Sequence, residues 1–203
     1  MGVVRKVNWL PCLVIAFALA FSAAAEDVSV HSLKPAVIFY FDDPASAAVW
    51  PAIADAFRRE TADESREYPL PADLQLLPAT ALHPGSEFGQ VVQVHLRGRC
   101  DVAEQAYRPL SHGPLGWVIR VSGEIQPYVY VDCERLVQFL NPRTLGMDDA
   151  QRTDAVATAI ARITMHEWLH ITLQSDVHTS HGIRRAELTA NDLVTATSGA
   201  AGN

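Results

Sequence analysis

Residues 148–170 read DDAQRTDAVATAIARITMHEWLH, and the longest predicted element of the chain lies in this stretch. Apolar residues recur there at three- to four-residue spacing and form one stripe of a helix, made of Val156, Ile160 and Ile163. Asp148 and Gln151 are spaced as a capping box, and Asp149 suits the positive end of a helix dipole. The pattern therefore predicts a long helix that begins near Asp148.

The same helix ends in a His-Glu-x-x-His pattern. Positions four apart on a helix differ by about 40° of azimuth, so His166 and His170 project side by side. Two imidazoles so placed can hold one Zn²⁺, and a carboxylate at Glu167 can accept a proton from water that the metal activates. Random placement of the 8 His and 10 Glu of this chain gives about 0.015 such patterns. The pattern predicts a zinc site with Glu167 as the general base.

A catalytic zinc needs a third protein ligand and one open position. The segment that follows the pattern is rich in metal-binding side chains, since four of the eight histidines fall between positions 166 and 181. The candidates for the third ligand are Asp176, His178, His181 and, further along, Glu187. The spacing of the residues leaves the choice among them open.

Residues 166–188 resemble the metzincin-type zinc metalloproteases of the short, exported bacterial kind. The matching elements are His166-Glu167-x-x-His170, then His178-Thr179, then Gly182-Ile183. The resemblance implies a hydrolase that cleaves peptide bonds with a zinc cofactor. It also implies that His178 is the third metal ligand beside His166 and His170, with Glu167 catalytic.

Three residues depart from the metzincin pattern. Leu173 and Asp176 stand where that pattern places a glycine and the third ligand, and Arg184 stands where it places a methionine under the metal. The pair Arg184-Arg185 is more typical of a solvated surface than of a catalytic role. Arg184 favours an alternative function, a non-hydrolytic metal-binding or partner-binding module derived from such a protease, and the intact Glu167 argues against it.

The N-terminus predicts export. Arg5 and Lys6 precede an apolar run over 9–21, and Ala23-x-Ala25 is a small-residue cleavage site. We therefore expect a signal peptide at 1–25, a zinc-binding catalytic domain at 26–197, a flexible tail at 198–203, and a secreted or periplasmic protein.

The net charge of the chain after signal cleavage limits the classes of partner that it can bind. Cleavage after Ala25 removes two positive charges and no acid, which leaves 178 residues with a formal net charge of −9. Such a balance argues against nucleic acid and, after signal cleavage, against a membrane surface, so the expected partner is a peptide or protein substrate.

Cys100 and Cys133 then remain as an even pair, which predicts a disulfide bond in an exported protein.

The remaining pattern predicts strands before the long helix. Asp42-Asp43-Pro44 is typical of a helix cap, and the helix after it is predicted to run to about Arg59. Expected strands lie at 36–41, 74–77, 91–96, 117–121 and 128–131, with a short helix at 134–140 and a turn at Asn141-Pro142. The order predicts a single α/β (α+β) domain. In it, a mixed, twisted sheet of four or five strands packs on a backing helix and on the long HExxH helix, which lines a cleft.

Overall fold

The computed structural model describes residues 33–64, 71, 73–100 and 112–194. All of these residues belong to one compact unit. The predicted signal peptide, its cleavage site and the predicted tail lie outside the described residues. In the described part of the chain, no helix is long and apolar enough to cross a membrane.

The described chain contains five strands and four α-helices. Their order is β1 Ala36–Phe41, a 3-10 turn Pro44–Val49, α1 Trp50–Glu64, β2 Gln75–Pro78, a 3-10 turn Ala79–Ala81, β3 Val91–Arg97, β4 Gly116–Val121, β5 Glu124–Asp132, α2 Cys133–Thr144, α3 Asp149–Leu173 and α4 Ala190–Val194.

The strands form one mixed sheet in the order β2-β1-β3-β5-β4. The pairs of β1 with β2, β1 with β3 and β3 with β5 are parallel, whereas β4 pairs with β5 in an antiparallel hairpin through Ser122-Gly123. The prediction of a single α+β domain with a mixed sheet is therefore confirmed. Parallel pairing suits β1, because its first four residues are all buried.

Alternation along the strands places the main core on one face of the sheet. Phe39 of β1 contacts Trp50 and Phe57 of α1, at ring-centroid distances of 5.2 and 6.2 Å. Trp168 of α3 stacks near Phe57 at 6.3 Å and is only 9% exposed. Trp168 thus faces the core, on the side of α3 away from the histidines, and α1 and α3 together form the layer beneath the sheet.

The long helix is more central than its single apolar stripe predicts. The capping box of Asp148 and Gln151 is confirmed, with both reciprocal hydrogen bonds present. Every residue from Ala155 to Met165 is buried, including Arg162. The Arg162 guanidinium makes a two-pronged ion pair with buried Glu60 of α1, at 2.7 and 3.1 Å, which keeps both buried charges satisfied.

Two predicted helix boundaries were wrong. Asp43 caps the start as expected, but the first six residues form a 3-10 turn and α1 continues beyond Arg59 to Glu64. The helix predicted at 134–140 runs through Asn141-Pro142 to Thr144. Pro142 falls near the helix end, where the loss of its backbone N–H disturbs the helix little. The extra turn buries Thr144, whose hydroxyl donates to the Leu140 carbonyl at 3.4 Å.

Cys100 and Cys133 form the disulfide that the sequence predicts, with their Cα atoms 4.8 Å apart. Both residues are fully buried, and the bond ties the segment after β3 to the first residue of α2. The two cysteines are 33 positions apart in sequence. Closing a loop of that length stabilises the fold by about 3–4 kcal/mol in the chain-entropy description.

Candidate metal centre

Three histidines converge beside the C-terminal half of α3. The ring nitrogens of His166, His170 and His178 that could serve as ligands all lie within 4.8 Å of one another. Among the described residues, these three make up the group of side chains that could hold a metal ion. His166 and His170 are half-buried on successive turns of α3, and His178 is exposed on the loop that follows. The site is therefore open to solvent on the His178 side.

Two carbonyl groups fix the orientation of the helical histidines. His166 Nδ1 donates to the Ile183 carbonyl at 2.6 Å, and His170 Nδ1 donates to the Ser175 carbonyl at 2.6 Å. A carbonyl oxygen can only accept, so the proton of each neutral ring lies on Nδ1 and the lone pair lies on Nε2. This is the arrangement by which proteins prepare histidines for a metal.

The two Nε2 atoms face each other at 3.1 Å. With both rings neutral, neither nitrogen has a proton to donate to the other, and two lone pairs at this distance repel. A cation between them removes that repulsion. Zn–N bonds of about 2.0–2.1 Å at a tetrahedral angle separate two ligand nitrogens by about 3.3–3.4 Å, which is close to the distance observed. The donor set fits a divalent metal ion that prefers nitrogen ligands.

Burial favours the uncharged form of the site's titratable groups. Burial lowers the pKa of His166 to about 4. The hydrogen bond to the Ile183 carbonyl opposes this shift, and His170, His178 and Arg184 add smaller lowering effects. Desolvation, His170 and Arg184 also lower the pKa of His178. Burial alone raises the pKa of Glu167 to about 7. The imidazoles of His166 and His178 are thus held in the neutral form, which is the form that binds metal.

The carboxylate of Glu167 lies where α3 meets Gly116, the first residue of β4. A Cβ atom added at Gly116 would lie 3.4 Å from Glu167 Oε1 and only 2.2 Å from Ile163 Cγ2. Because Gly116 has no side chain, the start of β4 can lie this close to Ile163 and Glu167 of α3. The carboxylate of Glu167 is thereby placed beside the start of an edge strand.

A cavity of about 660 Å³ adjoins these residues. His166 and Glu167 form part of its wall, together with Ile163 on the same helix and Gly116 on β4. The rest of the lining is largely apolar and comes from Pro114, Leu115, Phe139 and Leu193 and from residues 185–190. This volume is in the range of pockets that take a small ligand or a substrate side chain.

The other candidate ligands lie elsewhere. The carboxylate of Asp176 is 87% exposed and faces Arg120 of β4 at 3.8 Å. His181 bonds to Ser180 and lies outside the cluster, and Glu187 is exposed at the cavity. The structure thus brings together His166, His170 and His178, while their role as metal ligands stays a prediction.

The end of α3 accounts for this outcome. Leu173 is still helical, and the chain turns at Gln174, which has a left-handed backbone with φ 48° and ψ 36°. The turn comes one residue after the position at which the metzincin pattern has its glycine. Asp176 therefore follows the turn too closely to reach the two helical histidines, and His178 contacts them instead, with ring centroids at 5.3 and 4.9 Å.

The two arginines of the loop are not simply solvated. Arg184 is half-buried and donates to the Val177 carbonyl at 2.9 Å, next to His178. Arg185 pairs with Asp192 of α4 at 3.1 Å. Ile183, between the glycine and Arg184, is 6% exposed and belongs to the core. Ile183 thus joins the core through its side chain and contacts His166 through its carbonyl, and the arginines brace the loop.

Sequence reasoning missed the groups that position the histidines. The carbonyls of Ser175 and Ile183 carry no sequence signal, because every residue has one. Glycine at 116 and glutamine at 174 give no local pattern that marks them.

Comparison with protein-family models, with curated proteins and with solved structures found no match for this chain.

Proposed function

We propose that this protein is a zinc-dependent peptidase that hydrolyses peptide bonds. The observation that carries the proposal is the convergence of His166, His170 and His178, whose possible ligand atoms lie within 4.8 Å of one another, with the two helical Nε2 atoms 3.1 Å apart and both Nδ1 atoms bonded to carbonyls. Three neutral imidazoles and one solvent-facing position are the donor set of a catalytic zinc site. The likeness of residues 166–188 to metzincin-type peptidases agrees with this function and is part of the same proposal.

Glu167 supplies the acid–base chemistry. His166, His170 and His178 would hold the zinc, which would supply polarisation of a carbonyl oxygen and a bound water with a pKa lowered to around 7. Glu167 follows a ligand directly in sequence and lines the same cavity wall as His166. Its carboxylate accepts the proton of the attacking water and passes it to the nitrogen of the leaving amine.

The surroundings of Glu167 fit an extended peptide substrate. β4 is the terminal strand of the described sheet and begins beside Glu167 at Gly116. An extended peptide can add to the free edge of such a strand through main-chain hydrogen bonds. The substrate residue whose nitrogen Glu167 protonates then lies over the largely apolar cavity, which favours an apolar side chain there.

The substitution Glu167→Gln separates the chemistry from the coordination. Glutamine keeps the shape of the side chain but cannot accept a proton, so we expect turnover of a heat-denatured, dye-labelled protein to fall about 10²–10⁴-fold. Zinc content should stay at the wild-type value, because Glu167 is not a ligand in this account. The matched control is Glu87→Gln, an exposed glutamate outside the site.

Two outcomes would contradict the peptidase. One is a wild-type protein that binds zinc but cleaves no protein substrate, which leaves a metal-binding module in place of an enzyme. The other is Glu167→Gln turnover equal to that of Glu87→Gln.

A further inference from the structure

The turn that ends α3 contains a glutamine in a backbone conformation that is uncommon for residues other than glycine. Gln174 has a left-handed backbone, a conformation that glycine and asparagine adopt readily and that the Cβ of other residues disfavours. The same residue ends the helix, because its N–H bonds back to the His170 and Ile171 carbonyls. Something outside the backbone must therefore hold this turn.

The side chain of Gln174 provides that hold. Its Oε1 accepts from the Ile125 N–H at 2.9 Å, and its Nε2 donates to the Ile125 carbonyl at 3.0 Å. A third bond runs from Nε2 to the Ile171 carbonyl at 2.8 Å. One amide thus engages both backbone groups of a buried residue of β5 and one carbonyl of α3.

The turn that Gln174 bonds to Ile125 determines the positions of two of the three histidines, His170 and His178. Ser175, the next residue, offers its carbonyl to His170 Nδ1 at 2.6 Å. Three residues further on, the chain delivers His178 against the rings of His166 and His170. A nearby ion pair between Arg120 and Asp176 spans the same gap, but its exposure makes it a weak restraint.

We propose that Gln174 is a positioning residue of the metal centre, whose amide locks the turn after α3 to Ile125 and thereby aligns His170 and His178 on one ion. This inference rests on the metal site of the proposed function and not on hydrolysis. It assigns the β4–β5 hairpin a part in metal binding, since Ile125 belongs to that hairpin.

The test uses the full chain and Zn²⁺ or Co²⁺ alone. Gln174→Gly removes the amide but permits the left-handed turn without strain, and Leu173→Ala at the exposed neighbouring position is the matched control. Residues that orient metal ligands typically change metal affinity by about 10–100-fold. We expect the zinc Kd of Gln174→Gly, measured by competition with a chromophoric chelator, to rise by about that factor, while Leu173→Ala keeps the wild-type value.

Two further readouts separate positioning from a general loss of stability. The visible absorption of bound Co²⁺ should change in Gln174→Gly, because it reports the ligand geometry, and the metal-free protein should melt close to the wild type. Gln174→Asn, which tolerates the turn but is one methylene too short to reach Ile125, should behave as Gln174→Gly does. It serves as the second variant if the glycine substitution impairs folding.

The outcomes are distinct. A Gln174→Gly variant with the wild-type zinc Kd and Co²⁺ spectrum overturns the positioning role, whatever its melting temperature. A wild-type chain that binds no zinc overturns this inference together with the proposed function. A chain that binds zinc and loses affinity on substitution of Gln174 supports the inference even if no protein substrate is cleaved.

Discussion

At the scale of single residues, His95 lies outside the candidate metal centre and affects how the stability of the fold depends on pH. It stands on the face of the sheet opposite α1 and α3, in a row of stacked rings that has one member on each of four strands. Ring centroids are 4.8 Å from Tyr40 to His95, 5.1 Å from His95 to Tyr130 and 5.4 Å from Tyr130 to Trp117. Cross-strand aromatic pairs of this kind stabilise a sheet.

The pH dependence of stability should report on His95. Burial between the rings lowers its pKa below the ordinary 6.5; Asp42 opposes this effect and Arg97 adds to it. The unfolded chain then binds more protons than the folded chain between the two pKa values, so the free energy of unfolding rises with pH through that window. The stabilisation is complete above pH 6.5 and is lost as the pH falls toward the folded-state pKa.

Comparison with His95→Phe isolates this contribution. The other ionisable groups are common to both proteins, so their contributions cancel in the difference between the two free energies of unfolding. From denaturant melts at a series of pH values, we expect the wild type to lose stability relative to His95→Phe as the pH drops below 6.5. A difference that stays constant from pH 7.5 to pH 5 would contradict the account.

Residue by residue, the sequence allows the candidate metal centre to be predicted only in part. His166, Glu167 and His170 follow from helical spacing, because the geometry of a helix is the same wherever it occurs. The third histidine lies beyond a turn, and its position depends on where the helix ends. That end is set by a tertiary contact, the amide of Gln174 on Ile125, which no local pattern encodes.

At the scale of elements, the contact between α3 and β4 governs the position of Glu167. A Cβ at Gly116 would approach Ile163 Cγ2 to 2.2 Å, which the packed helix cannot accommodate without movement. We expect Gly116→Ala to lower the free energy of unfolding by about 1–3 kcal/mol, as overpacking does. Turnover should fall as well, because the strand edge and the carboxylate are pushed apart.

A double-mutant cycle tests the cause. Ile163→Ala removes the atom that the new methyl group meets, so Gly116→Ala should cost less stability in that background than in the wild type. Equal costs in the two backgrounds, measured by chemical denaturation, would show that the clash with Ile163 is not the reason for the loss.

Helices and strands differ in how far the sequence allows their prediction. The capping box at Asp148 marks the start of α3, and alternating or continuous apolar residues mark the strands. Helix ends are less visible, since α1 and α2 both extend past their predicted limits. The charged residues Glu60 and Arg162 fall on buried helix faces, and the reason becomes clear only when the two helices are brought together as an ion pair.

At the scale of the whole molecule, the sheet and the long helix bring the segments of the candidate site together. The order β2-β1-β3-β5-β4 leaves β4 as the strand beside Glu167, although β4 precedes β5 in sequence. The sequence predicts the mixed sheet but not this order, because strand order depends on long-range pairing. The cavity beside Glu167 likewise arises from segments far apart in the chain, β4, α2, α3 and α4.

The most direct test of the central claim is the amount of zinc bound per chain in three proteins, measured by elemental analysis after dialysis. The wild type should hold one zinc ion, and His181→Ala, which alters a neighbouring histidine outside the cluster, should hold one as well. His178→Ala should lose it, with affinity reduced by more than about 100-fold, because removal of a ligand costs more than removal of a residue that orients one. A His178→Ala protein that still holds one zinc ion with wild-type affinity would contradict the three-histidine centre.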